Sequence, residues 1–293
     1  MIDKFIEKLE KDNIKIYNFE ELEIGETLGE GANGKVYRCN YMNKRYAAKK
    51  IHKNHVLNNN EYKYFLNDIH YEIQTGNKFN SKRIMKIYGF CYDKNNEEVY
   101  IILELLNNKG CLFDYIYKMN NVFDKSDKIK IFLSIVLAVK DMHDKNYCHS
   151  DLKLENLVYF FDYKEKNKYV KLIDFNCVTN IKYEYEDIDY TYGTYGYCAP
   201  EQIGNNKYVC LKSDIYSLGI IFLELIMDNE LWDTNFYSHQ KYRKSVLQNL
   251  KELQEDDYEI YEIIKKCISL TPEKRFDIYE LYNIVKKLSN DYI

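Results

Sequence analysis

The spacing of apolar residues changes near Leu112. Ile2, Phe5, Ile6 and Leu9 recur at helical intervals with Lys and Glu between them, which predicts a short amphipathic helix at the start. From Leu22 to Leu103 the pattern is mostly strands. Gly25 to Leu28 leads into a glycine-rich turn, and Lys35 to Cys39, Arg45 to Ile51, Ile84 to Tyr92 and Val99 to Leu106 follow, the last two separated by a polar turn, Asp93 to Glu98. One helical stretch, His55 to Asn77, interrupts them and is itself broken by Asn-rich sequence. From Leu112 onward helices dominate: Leu112 to Met119, Ser126 to Lys145, Ser213 to Met227, Tyr258 to Ser269 and Ile278 to Lys287. Strands followed by helices predict an α+β chain of two lobes.

Length agrees with that division, since 293 residues exceed what one compact core usually serves. Hydrophobic residues at 46% and charged residues at 30% place the chain among globular proteins. A net charge of -4 points to neither nucleic acid nor anionic membrane as a partner. No apolar run approaches membrane-spanning length; Ile129 to Val139 is about half of it and carries Lys130 and Ser134. The first residues lack the regions of a signal peptide, and Ile2 excludes N-myristoylation. The 8 cysteines are scattered without C-x-x-C or zinc spacing, as expected of reduced thiols in a cytoplasmic protein. The 31 tyrosines accompany abundant Asn, Lys and Ile and read as compositional bias.

Chemistry enters with Leu28-Gly29-Glu30-Gly31-Ala32-Asn33-Gly34-Lys35-Val36. A G-x-G-x-x-G alone is weak, and in a dinucleotide fold it opens a helix. Here a strand follows Gly34, so the arrangement is a hairpin whose glycines leave room for phosphates. Next comes Tyr46-Ala47-Ala48-Lys49, where a lysine in an apolar strand needs an anionic partner. Glu72, on the helical stretch, is the candidate carboxylate, and alternation favours Lys49 over Lys50. Tyr147-Cys148-His149-Ser150-Asp151-Leu152-Lys153-Leu154-Glu155-Asn156 and Val170-Lys171-Leu172-Ile173-Asp174-Phe175-Asn176 are far more specific. They are followed by Gly193-Thr194 through Ala199-Pro200-Glu201, then Ser213-Asp214 opening an apolar helix, then Thr271-Pro272-Glu273-Lys274-Arg275.

Seven motifs in this order resemble those of eukaryotic protein kinases over all but the first twenty or so residues. The resemblance implies a two-lobed kinase fold, with an antiparallel β-sheet N-lobe carrying one main helix and a mostly α-helical C-lobe. Its expected extents are an extension over 1–21 and a kinase domain over 22–289, divided into N-lobe 22–103, hinge 104–110 and C-lobe 111–289. The implied cofactors are ATP and Mg2+. Leu28, Gly29, Gly31, Gly34, Val36, Ala47 and Val158 would enclose the nucleotide. Leu103 would stand as gatekeeper, and Glu104 and Leu106 would offer backbone groups to the adenine edge. Lys49, held by Glu72, would fix the phosphates. Asp151 would orient the acceptor hydroxyl, Lys153 would neutralise the transferred group, and Asn156 and Asp174 would hold the metal. Asp214 would cap its helix and brace the catalytic loop, and Arg275 would pair with Glu201. Lys153 with Thr194 implies Ser/Thr acceptors on protein substrates, and Glu155 and Glu224 match positions that favour basic residues in them.

The chain departs from the family pattern at three places. Ser150 replaces the arginine that normally receives a loop phosphate. No Arg lies between Arg83 and Arg243, and Glu184, Glu186, Asp187 and Asp189 make the loop acidic, so control by phosphate at Tyr190 or Thr191 is not expected; Lys171 and Lys182 are the substitute cations. Asn176 replaces a glycine at a position that often takes positive φ, which Asn tolerates. Gly76 stands one turn after Glu72 in place of an apolar residue, at a helix cost of roughly 1 kcal/mol relative to alanine, so a regulatory partner is expected at that helix. These departures support an alternative reading, a pseudokinase scaffold that binds partners without efficient transfer.

Overall fold

The computed structural model describes residues 1–31, 33–53, 58–106, 110–119, 123–162, 167–189, 193–227 and 239–291. The chain divides into two compact units, Met1–Gly110 and Cys111–Ile293.

In the first unit, α1 (Ile2–Lys11) buries Phe5 and Leu9 on the face that the periodicity marks. The chain turns at Asn13, φ 57°, and continues as β1 (Lys15–Asn18), a strand too short to show alternation in the sequence. β2 (Leu22–Gly31), β3 (Gly34–Tyr41) and β4 (Lys44–Ile51) form an antiparallel meander. Met42 and Asn43, at φ 48° and 62°, both take the left-handed conformation of a two-residue type I′ hairpin turn between β3 and β4. α2 (Asn59–Gly76) starts later than its apolar pattern, because Asn58 and Glu61 make a capping box. The Asn58 side chain accepts from the Asn60 and Glu61 N–H groups, and Glu61 accepts from the Asn58 N–H. β5 (Ile87–Asp93) and β6 (Glu98–Leu103) complete a six-stranded sheet in the order β1-β5-β6-β4-β3-β2. The expected antiparallel sheet is present and gains a parallel edge strand: β1 runs alongside β5, Lys15 opposite Gly89 through Asn18 opposite Tyr92. Tyr17 thereby joins Leu22, Cys39, Tyr41, Ala48, Cys91, Tyr100 and Ile102 in one buried cluster.

In the second unit, the helix expected over Leu112 to Met119 is a π-helical turn, Asp114–Lys118. α3 (Lys125–His143) is capped by Asp124, which accepts the Asp127 N–H at 2.7 Å. β7 (Tyr147–Cys148) pairs with β10 (Thr179–Asn180) and frames the catalytic-loop motif and the segment after it. β8 (Leu157–Asp162) and β9 (Asn167–Leu172) pair antiparallel, and 163–166 between them lie outside the described residues. β11 (Glu186–Asp187) pairs with β12 (Tyr208–Val209). α4 (Leu211–Met227) is buried at every position from Ser213 to Leu225, as befits a helix that is largely apolar all round. Phe222 stacks on Phe132 of α3 at 4.0 Å. α5 (His239–Asp256) was not read from the sequence, although Val246, Leu250 and Leu253, all buried, keep helical spacing. α6 (Tyr258–Cys267) and α7 (Ile278–Asp291) follow the pattern. Arg275 and Glu201 meet as expected: two guanidinium nitrogens donate to the two carboxylate oxygens at 2.7 and 2.8 Å, and Ser213 adds a hydroxyl at 2.7 Å. Among the described residues no helix is long and apolar enough to cross a membrane.

Candidate active site

In the first unit Lys49 and Glu72 come together. Lys49 Nζ donates to Glu72 Oε1 at 2.7 Å, and the residues are 8% and 4% exposed. Glu72 is thus a buried partner, because α2 lays that face against the sheet. The neighbouring Lys50 pairs instead with Glu98, as the alternation along β4 requires. The glycines of the β2–β3 hairpin divide into two kinds. A Cβ at Gly34 would stand 2.3 Å from the Lys50 carbonyl oxygen, so the β3–β4 ladder itself demands glycine there. Among the described residues a Cβ at Gly29 or Gly31 would meet nothing within 4 Å, and neither has a positive φ. The unit's own packing gives no reason for glycine at those two positions, whereas a phosphate-bearing ligand lying against the hairpin backbone gives one.

Leu28 is exposed, Val36 half-buried and Ala47 buried on the same strands. Leu103 is buried at the end of β6. The Glu104 N–H donates to the Lys86 carbonyl at 2.9 Å, so any contribution from Glu104 to a ligand edge would come through its carbonyl. Leu106 is half-buried, and residues 107–109 of the expected hinge lie outside the described residues.

In the second unit the loop after β7 is shaped by one buried carboxylate. Asp214 accepts the N–H groups of His149 at 2.8 Å and Ser150 at 2.9 Å, and His143 Nε2 at 2.9 Å. Burial, the largest single influence, raises its pKa, but the hydrogen bonds and charges of His143 and His149 together outweigh it and hold the carboxyl below the ordinary Asp value. The brace read from the sequence is therefore there, while the expected cap is corrected: α4 begins at Leu211, and Asp214 lies within its first turn. The two bonds fix Ser150 at φ 67°, a left-handed conformation costly for a non-glycine residue.

Just beyond, Lys153 Nζ donates to Thr194 Oγ1 at 2.7 Å, and Thr194 Oγ1 donates to Asp151 Oδ1 at 2.8 Å. Lys153 Nζ also lies 3.4 Å from Asp151 Oδ2. Asn156 Nδ2 donates to the Asp151 carbonyl at 2.9 Å and to Asp151 Oδ2 at 3.2 Å, which turns the amide oxygen toward other ligands. Its own carbonyl accepts the Ile173 N–H at 2.9 Å, linking it to the residue before Asp174. Val158 is buried in β8. No group of three His, Cys, Asp or Glu side chains suited to a metal occurs among the described residues. The donor set on offer is one amide and one carboxylate oxygen, which fits a hard ion that keeps water and takes substrate phosphate as further ligands.

Four expectations need correction. Asn176 does not take positive φ; Asp174 does, at 65°, and its Oδ1 lies 3.4 Å from the Asn176 N–H. Gly76 is the last residue of α2, where the interior cost of glycine does not apply in full. Lys171 is 4% exposed, with its ammonium over the Phe160 ring, and is no loop-phosphate receiver. Glu224 is 1% exposed and accepts the Tyr197 hydroxyl at 2.7 Å, so it supports the segment before Pro200. Sequence reasoning missed His143 and Gln202, whose Nε2 donates to the Ser150 carbonyl at 2.9 Å. Both act across long sequence separations without any local spacing to mark them. Tyr190 and Thr191 lie outside the described residues.

The model of the family described as protein kinase domain matches residues 22–285. The chain is 30% identical over 256 residues to the serine/threonine-protein kinase PSK1 of Saccharomyces cerevisiae, covering 84% of this chain and 18% of that protein. It is 31% identical over 229 residues to the MAP kinase kinase MKK1/SSP32 of the same yeast, covering 75% and 42%. It is 35% identical over 222 residues to calcium-dependent protein kinase 22 of Arabidopsis thaliana, covering 74% and 41%. The chain thus matches less than half the length of each of these relatives.

Proposed function

The chain belongs to the protein kinase domain family, and on that premise we propose that it transfers the γ-phosphoryl group of ATP to serine and threonine hydroxyls of protein substrates. The observation that carries the reading is the chain of hydrogen bonds from Lys153 through Thr194 to Asp151. Asp151 orients the acceptor hydroxyl and takes its proton as the new O–P bond forms and the bond to the departing diphosphate breaks. Lys153 supplies positive charge where the transferred group carries negative charge. Lys49, kept in place by Glu72, binds the nucleotide phosphates. Asn156 and Asp174 would hold Mg2+, which when bound neutralises phosphate charge. Lys153 and Thr194 together favour Ser and Thr over Tyr as acceptors.

The same reading takes 22–289 as the catalytic domain and 104–110 as its hinge. It places the protein in the cytoplasm, which the eight free thiols support. Neither nucleic acid nor membrane is a partner in this reading.

The test is turnover with Mg-ATP and a generic protein acceptor. Asp151→Asn and Asp174→Asn should each lose at least about a hundredfold in kcat while keeping their stability within about 1 kcal/mol. Near-normal transfer by Asp174→Asn would overturn the metal assignment. Phosphotyrosine in the product would overturn the acceptor assignment.

A further inference from the structure

The face of α2 where a regulatory partner was expected is gripped by the chain's own first eighteen residues. Asp12 Oδ2 accepts from His70 Nε2 at 2.6 Å and from Gln74 Nε2 at 3.0 Å. Residues 70 and 74 are one turn apart, so a single carboxylate ties two successive turns of α2, while Glu72, about 200° round the helix from His70, points to Lys49. α1 supports the grip from its buried side. Phe5 packs edge-on against His70 at 6.4 Å and against Phe90 of β5 at 5.4 Å, and Leu9 is fully buried. β1 anchors the segment to the sheet, and β5 is built to receive it: a Cβ at Gly89 would stand 2.0 Å from the Lys15 carbonyl oxygen and 3.1 Å from the Tyr17 ring. Gly89 thus fits a sheet that already contains β1.

We propose that residues 1–18 are a built-in clamp on α2, in which Asp12 acts through His70 and Gln74 as a positioning residue that holds Glu72 on Lys49. The inference rests on the kinase reading above, in which the Lys49–Glu72 pair binds phosphates. A clamp supplied in cis supports α2 without a second protein on that face.

The experiment is a double-mutant cycle on the full chain with Asp12→Ala, Glu72→Gln and both together, and Asp12→Asn as the conservative variant. Hydrogen exchange of 66–76 is followed alongside turnover. Asp12→Ala should lower kcat/KM about fivefold, speed exchange in α2, and add nothing further in the Glu72→Gln background. Asp12→Asn, which keeps a side-chain oxygen as acceptor, should restore most of the loss. Gly89→Ala, which pushes β1 off, should reproduce the faster α2 exchange. If Glu72→Gln lowers turnover but Asp12→Ala does not, or if the two losses simply multiply, the clamp is overturned and the kinase reading stands. If Glu72→Gln is itself without effect, the role of the Lys49–Glu72 pair falls, and the clamp with it.

Discussion

Replacing Asp214 by Asn keeps volume and shape and removes one acceptor. The carboxylate, 0% exposed, receives three donors: the Ser150 N–H on Oδ1, and the His149 N–H and His143 Nε2 on Oδ2. An amide offers one oxygen, so if it serves His149 and His143, an NH2 group faces the Ser150 N–H. A buried donor left without a partner costs about 1–3 kcal/mol. The two remaining bonds lose their charge assistance, roughly 1 kcal/mol more. We expect about 3 kcal/mol of destabilisation, or about 6–12 °C in the melting of the second unit. Ser150, no longer held at φ 67°, should relax toward negative φ and carry Asp151 with it, so kcat should fall as well. The pH dependence has a definite sign. The pKa of Asp214 is depressed in the folded state, so its stabilisation is complete above the ordinary carboxylate value and is lost as pH falls through the folded-state value. Wild type and Asp214→Asn should therefore differ by a constant amount near neutrality and converge only below about pH 4. Thermal melts from pH 7 to pH 3, with turnover at pH 7, measure both effects. A melting shift under about 2 °C with unchanged kcat would refute the reasoning.

Gly34→Ala should destabilise the first unit by about 1–3 kcal/mol, because the new methyl meets the Lys50 carbonyl, whereas Gly29→Ala should leave stability within about 0.5 kcal/mol and raise the KM for ATP. Thermal shift with an ATP titration separates the two, and an unchanged KM in Gly29→Ala would remove the ligand-based reason for that glycine. Activity should also survive full dephosphorylation, confirmed by mass spectrometry. The loop is tied by the β11–β12 pairing, by the Ile188 N–H to the Lys207 carbonyl at 3.0 Å and by the Lys182 N–H to Glu186 at 2.9 Å, and no arginine from 84 to 242 stands ready for a phosphate. A large loss, restored on rephosphorylating Tyr190 or Thr191, would overturn it.

What could be read from the sequence was what short stretches encode. The period of apolar residues placed α1, α3, α4, α6 and α7, and motif spacing picked out Lys49, Glu72, Asp151, Lys153, Asn156 and Thr194. What could not be read depends on partners far along the chain. β1 is four residues, and its place is set by pairing with Gly89 to Tyr92. Nothing near Asp12 announces His70, 58 residues on, and nothing near His143 announces Asp214, 71 residues on. α5 is a different case. Val246, Leu250 and Leu253 carry the helical spacing, but its mostly polar composition hid them.

The three departures that favour a scaffold over an enzyme can now be weighed by what each removes. Ser150 replaces a side chain beyond the chemistry, and its backbone is held by Asp214 and Gln202 through its N–H and carbonyl. Asn176 occupies an exposed turn with no positive φ, so the glycine usual there is not needed for the conformation adopted; the strained backbone is one step earlier, at Asp174. Gly76 ends α2, where the interior cost of glycine does not apply in full, and Asp12 ties the preceding turns through His70 and Gln74. In each case the change falls on a supporting position and leaves Lys49, Glu72, Asp151, Lys153, Asn156 and Asp174 in place. The buried Lys49–Glu72 pair does not by itself separate the two readings, because removing one partner of such a pair is strongly destabilising whether or not the protein is catalytic. The partly exposed Lys153–Thr194–Asp151 contacts carry the distinction: they bring a cation, a hydroxyl and a carboxylate together outside the core, which the enzyme reading explains and the scaffold reading does not.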